Sequence, residues 1–153
     1  MFFFLRFTIL FLFIFFSFST QAHVLHYNEL KGIEFDIYRN GKNIGKHLFK
    51  FNKVDGKIEV KSEMNFEIKK LGIVLYKYEL KGVEVYEENK LIKFYSQTNQ
   101  NGKKKYVKLN VENDQYIIDG SSYKGTAPVK YSIGTWWNHS IIKAPAQISA
   151  SSG

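Results

Sequence analysis

Trp136, Trp137, Asn138, Tyr76, Tyr78, Thr98 and Asn99 have the side-chain types to hold a small molecule. Indole and phenol rings make an apolar wall with a polar handle, and amides and hydroxyls add directional hydrogen bonds. Such a set points to ligand binding, with core and cross-strand packing as the plainer role for each ring. Other polar groups fall short of catalysis. Glu87 and Glu88 are neighbours, so on a strand they point to opposite faces and cannot share acid–base work. Ser121-Ser122 has no glycine elbow around it and no histidine close by in sequence. No phosphate loop or dinucleotide fingerprint is present, and no catalytic residue is assigned.

Histidines 23, 26, 47 and 139 are the soft metal ligands of the chain. A His23 amine-plus-imidazole brace would need a second, rigidly placed histidine, which His26 is too near in sequence to provide. No metal site and no cofactor are expected. With no cysteine, disulfide scaffolds, thiolate metal centres and thiol nucleophiles are excluded. Asn138-His139-Ser140 matches a glycosylation sequon, which matters only in a eukaryotic secretory host.

Charge adds little about partners. There are 22 Lys+Arg against 14 Asp+Glu, a net charge of +8, but all cations except Arg6 and Arg39 are lysines. They alternate with glutamates along apolar stretches, which is the pattern of a solvated sheet face, so no nucleic-acid partner is expected. Lys103-Lys104-Lys105 follows a hairpin dipeptide, where lysines also guard strand edges.

The elements that would position these residues are strands. Ile33, Phe35 and Ile37 alternate with polar neighbours up to Asn40-Gly41, the strongest short hairpin signal, because a type I′ turn needs positive φ twice. Asp55-Gly56, Asn89-Lys90, Asn101-Gly102 and Asn113-Asp114 punctuate the rest. From Lys57 to Lys69, Ile58, Val60, Met64, Phe66 and Ile68 take one face and charged residues the other. Between Ile73 and Tyr86 the apolar phase moves from Tyr76, Tyr78 and Leu80 to Val83 and Val85, which predicts a bulge at Gly82. The expected fold is all-β: an antiparallel meander of about seven strands in a strongly curved sheet or half-open barrel. Ser121–Pro128 is turn-rich, and Thr135 is placed to cap one short helix near residues 136–142.

Residues 1–22 read as a signal peptide: Arg6, an apolar run from Phe7 to Phe16, then small and polar residues with cleavage expected between Ala22 and His23. Cleavage leaves no stable transmembrane segment. An N-terminal arm over 23–30, a sheet domain over 31–142 and a flexible tail over 143–153 complete the expected organisation. So few residues after a tryptophan pair predict an apolar face left uncovered, as in a C-terminally truncated domain.

Phe35-Asp36-Ile37-Tyr38-Arg39-Asn40-Gly41-Lys42-Asn43-Ile44-Gly45, Tyr76-Lys77-Tyr78-Glu79, Glu84, Ser96-Gln97-Thr98-Asn99 with Asn101-Gly102, and Thr135-Trp136-Trp137-Asn138 stand in that order. Together they resemble the bacterial exported family called domain of unknown function 6134, over about residues 31–142. The resemblance implies a periplasmic β-rich protein and carries over no activity, cofactor or catalytic residue. It also implies further strands after Trp-Trp-Asn, with a later tryptophan-tyrosine motif that this sequence lacks.

The function expected is therefore that of an exported, non-enzymatic protein cradling an apolar or amphipathic ligand such as a lipid. A periplasmic interaction or envelope-assembly module comes second and an enzyme third.

Overall fold

A computed structural model describes Tyr27 and residues 29–153. The leader, the Ala22/His23 junction and His26 lie outside the described residues. Eight strands form one sheet in strict chain order: β1 (Gly32–Arg39), β2 (Lys42–Val54), β3 (Lys57–Lys70), β4 (Ile73–Glu87), β5 (Lys90–Gln100), β6 (Lys103–Glu112), β7 (Gln115–Gly120) and β8 (Lys124–Pro128). Every neighbouring pair is antiparallel, and β1 does not pair with β8, so the barrel does not close. The meander of the sequence analysis is thus present with one strand more. Residues 121–128, read as turn-rich, carry β8, in which Thr126 alone favours strand and Gly125, Ala127 and Pro128 do not, but which pairs against Gln115–Asp119. Its Pro128 is tolerated at the end of an edge strand.

Hairpin chemistry behaves as the turn residues require. Asn40, Asp55, Asn101 and Asn113 all adopt φ near +50°, and Gly41 follows Asn40 at +74°. Gly82, in contrast, is not a bulge: pairing runs through it unbroken, opposite Ser62 on one side and Ser96 on the other. The β4–β5 register shifts later, between Val85 and Tyr86. A side chain on Gly82 would meet the Ser62 hydroxyl at 2.7 Å, so crowding explains the glycine. The phase change has another cause, which is that β4 turns Leu80, Gly82, Glu84 and Tyr86 inward and puts Val83 and Val85 on the outer face.

The inner face holds the core. Phe49, Val60, Phe94, Val107 and Leu109 are almost completely buried there, under Tyr27, Ile133, Trp137, Ile148 and Ala150. Two short strands, β9 (Ser132–Ile133) and β10 (Gln147–Ile148), pair in parallel and form this cover. The expected flexible tail is therefore part of the core. Ser96 Oγ donates to the Ala150 carbonyl at 2.6 Å, and Ser122 N–H donates to the Ser152 carbonyl at 2.8 Å. The small row Ser62, Gly82 and Ser96 gives Ala150 the room to come this close.

The expected helix is shorter and starts later. A 3-10 helix spans His139–Ile142, capped by Asn138, whose Oδ1 accepts from Ser140 N–H at 2.9 Å. Trp136 sits at φ +71°, outside helical space, so Thr135 cannot cap a continuous turn.

Candidate functional site

The two tryptophans part company at once. Trp137 is 4% exposed and makes edge contacts with Tyr27, Phe51 and Tyr86, at ring separations of 5.2, 5.3 and 5.7 Å. Its indole N–H donates to Glu84 Oε1 at 2.9 Å, and Tyr86 O–H donates to Glu84 Oε2 at 2.5 Å. Glu84 is almost fully buried, and burial pushes its carboxyl above the usual range, opposed by hydrogen bonds from Tyr86, Trp137 and Thr135. The same burial, reinforced by the Glu84 charge, drives the Tyr86 hydroxyl upward and the Tyr116 hydroxyl to about 12. Asn138 reaches the Tyr86 hydroxyl from the loop. The cluster joins the loop around Trp137 to the middle of the sheet and encloses the Trp137 ring, whereas Asn138 and Tyr86 also border a second pocket of about 460 Å³ with Tyr116, Tyr131 and Ile133.

Trp136 is 65% exposed. A bulky residue at positive φ is strained, and such strain persists only where the surroundings enforce it. Its ring borders a pocket of about 480 Å³ on the inner face, shared with His47, Met64, Tyr78, Leu80 and Ile148. Tyr78 stacks on Phe66 with ring centres 5.2 Å apart, and Thr98 and Ser151 stand beside its hydroxyl, which burial pushes upward. Tyr76 lies on the far side of Phe66 at 5.9 Å, on a half-buried aromatic strip that runs from the pocket toward the β3–β4 turn.

His47 is the pocket residue that sequence reasoning passed over. It is buried against Phe49, ring centres 4.1 Å apart, and its Nε2 has no hydrogen-bond partner. Burial pushes its pKa down to about 4, so the ring is neutral at pH 7. The signal was in the sequence: His47 is in step with Phe49 and Phe51, and that alternation sends all three inward.

Asn99 lies elsewhere. It faces outward, donating to Glu79 Oε2 at 3.2 Å and accepting from Gly102 N–H at 3.0 Å, which fixes the next turn. It borders a separate outer-face groove of about 720 Å³ with Glu63, Lys81, Tyr95, Lys104 and Tyr106. Of the seven predicted ligand residues, Trp136 and Tyr78 share the inner-face pocket, Thr98 touches the Tyr78 hydroxyl but borders the outer groove with Asn99, Tyr76 flanks Phe66, Asn138 borders a different pocket and Trp137 is enclosed in the core. Among the described residues no three histidine or acidic side chains converge as a metal ion would require. No helix among them is long and apolar enough to cross a membrane.

An open antiparallel meander, capped on one face by its own later residues, defines the class of this protein. The chain belongs to the family described as Domain of unknown function (DUF6134), whose model matches residues 35–153. Glu84 and Trp137, two residues that carry the sequence resemblance, meet in the buried cluster. No curated protein and no solved structure matches the chain.

Proposed function

We propose that this is an exported, non-catalytic binding protein that takes an apolar or amphipathic molecule into the inner-face pocket between Trp136 and Tyr78. One observation carries the proposal: His47, whose Nε2 is buried without a hydrogen-bond partner, borders a pocket whose wall mixes Met64, Leu80, Trp136 and Ile148 with Thr135, Gln147, Ser149 and Ser151. A buried polar atom without a partner is costly, and a ligand head group would satisfy it. The pocket volume of about 480 Å³ falls within the usual range of small-molecule sites. The strip of Phe66, Tyr76 and Tyr78 offers a path for an alkyl chain. Export rests on the leader pattern of residues 1–22.

The test is native mass spectrometry of the protein from its own host, followed by titration with hexadecanoic acid read by tryptophan fluorescence. A bound apolar mass and a saturable change are expected, both lost in Trp136→Ala and His47→Phe. An adduct-free protein whose fluorescence ignores the probe would overturn the proposal. A second reading, an interaction or assembly module, is favoured by β1 and β8, the edge strands of the sheet among the described residues. A co-purifying protein in place of a small mass would support it.

A further inference from the structure

The turns 40–41, 71–72 and 101–102 lie at one end of the sheet, with a fourth turn over 121–123 where Lys124 is paired with Asp119, and 55–56, 88–89 and 113–114 lie at the other. Within two residues of the first three stand Arg39, Lys42, Lys69, Lys70, Lys103 and Lys104, and no acid. The opposite end carries Asp55, Glu87, Glu88, Glu112 and Asp114 with three lysines. The molecule is therefore polarised along its strands.

The basic end also projects. Pairing of β3 with β2 ends at Phe66, and pairing of β4 with β5 ends at Tyr78, yet β3 and β4 pair with each other as far as Lys70 and Ile73. Beyond Phe66 the two strands run about 13 Å paired only with each other, while β2 continues beside them over Lys42–Ile44 without pairing to β3. The tip of this hairpin is apolar: Leu71 is 93% exposed and Ile73 67%, with Val74 and Leu75 about half exposed. Leu71 occupies the first turn position at φ +51°, where the turns 40–41 and 101–102 place asparagine. Leucine there sacrifices both local preference and burial, and an exposed apolar cluster of this kind marks a contact surface. Just behind the tip, Glu67 is paired with Lys69 and Lys77, while Lys70, Lys103 and Lys104 have no ion-pair partner among the described residues.

We infer that this end docks on an anionic lipid bilayer, with Leu71 and Ile73 dipping among the head groups and the surrounding cations facing lipid phosphates. An apolar tip inside a cationic ring has the complementarity that such a surface selects. This contact is independent of the inner-face pocket.

Because the chain has no cysteine, Leu71→Cys places one environment-sensitive NBD dye at the tip of the full-length protein, and Asn113→Cys places it at the acidic end. With phosphatidylcholine vesicles containing phosphatidylglycerol, the Leu71 label should brighten severalfold and shift to the blue while the Asn113 label stays unchanged. Phosphatidylcholine alone should give little response. Lys69→Glu with Lys70→Glu should weaken the response by about tenfold. Equal responses at both positions would mean that the leader alone holds the protein on the vesicle, and would overturn the inference. So would a silent Leu71 label, or a shift without vesicles that grows with protein concentration, which would make a second copy the occupant. Leu71→Asn, labelled at Ile73→Cys, should keep the thermal transition and lose the vesicle response, separating docking from folding.

Discussion

The inner face of the sheet has two ends, and the same long strands run through both. At one end Trp137 is sealed over Glu84 and Tyr86 by donors aimed at both carboxylate oxygens. At the other, Trp136 stands exposed beside a pocket, and Phe66, Tyr76 and Tyr78 are only half covered. Neighbouring tryptophans thus serve opposite ends. The difference teaches that burial is densest under residues 133–150, while Phe66, Tyr76 and Trp136 keep aromatic surface open and Tyr78 bridges the two, packed against the core on one side.

The sharpest test sets the two rings against each other. Trp137→Ala should cost about 3–5 kcal/mol in urea unfolding, because it opens a core cavity and strips Glu84 of a donor. Trp136→Ala should cost less than about 1 kcal/mol; equal losses would erase the comparison.

Next in size is the pH effect of His47. Its folded pKa is pushed down to about 4, whereas the unfolded chain titrates near 6.5. Between those values the unfolded state binds a proton that the folded state refuses. The His47 contribution is therefore intact above pH 6.5 and lost as pH falls toward 4, by up to about 3 kcal/mol. Glu84, raised by burial, acts in the opposite direction, so the quantity to measure is the difference between wild type and His47→Phe. Parallel pH profiles for the two would show that the pocket histidine is not buried in solution.

A smaller effect belongs to the exposed turns. Gly41→Val should cost about 1 kcal/mol or more, since a β-branched residue resists the φ of +74° found there. Smallest is Leu71→Asn, which should stabilise by about 0.5 kcal/mol by meeting the turn's own preference. A loss of stability there would mean that Leu71 serves folding, and the two ends would no longer differ in kind.

Most of the sheet was legible because Asn-Gly and Asp-Gly pairs announce turns and the Lys57–Lys69 alternation announces a face. What misled was Glu84. Pattern reading sends a glutamate outward and takes Val83 and Val85 as core, but the donors that make its burial tolerable come from Tyr86 and from Trp137, 53 residues later. A partner that distant leaves no periodic trace. Which tryptophan would be buried was hidden for the same reason, because the chain from Ser132 onward is irregular and its direction is set by contacts with the sheet. Of the candidate ligand residues only Tyr78 and Trp136 border one pocket, Tyr78 because strand register turns it inward and Trp136 because of the loop that carries it.

The unbroken chain order of the strands has a kinetic consequence. Each of the eight strands closes on its predecessor through a short turn, so the sheet can assemble by fast local hairpin steps as the chain emerges. Its cover comes after all eight strands: Trp137 reaches back 53 residues and Ala150 reaches back 54. Until those residues arrive, the sheet must wait with Phe49, Phe94 and Leu109 in water and the Glu84 carboxyl hydrated. Docking of residues 133–150 is then the step at which water leaves the core, and the interval before it is when the nascent protein most needs a chaperone.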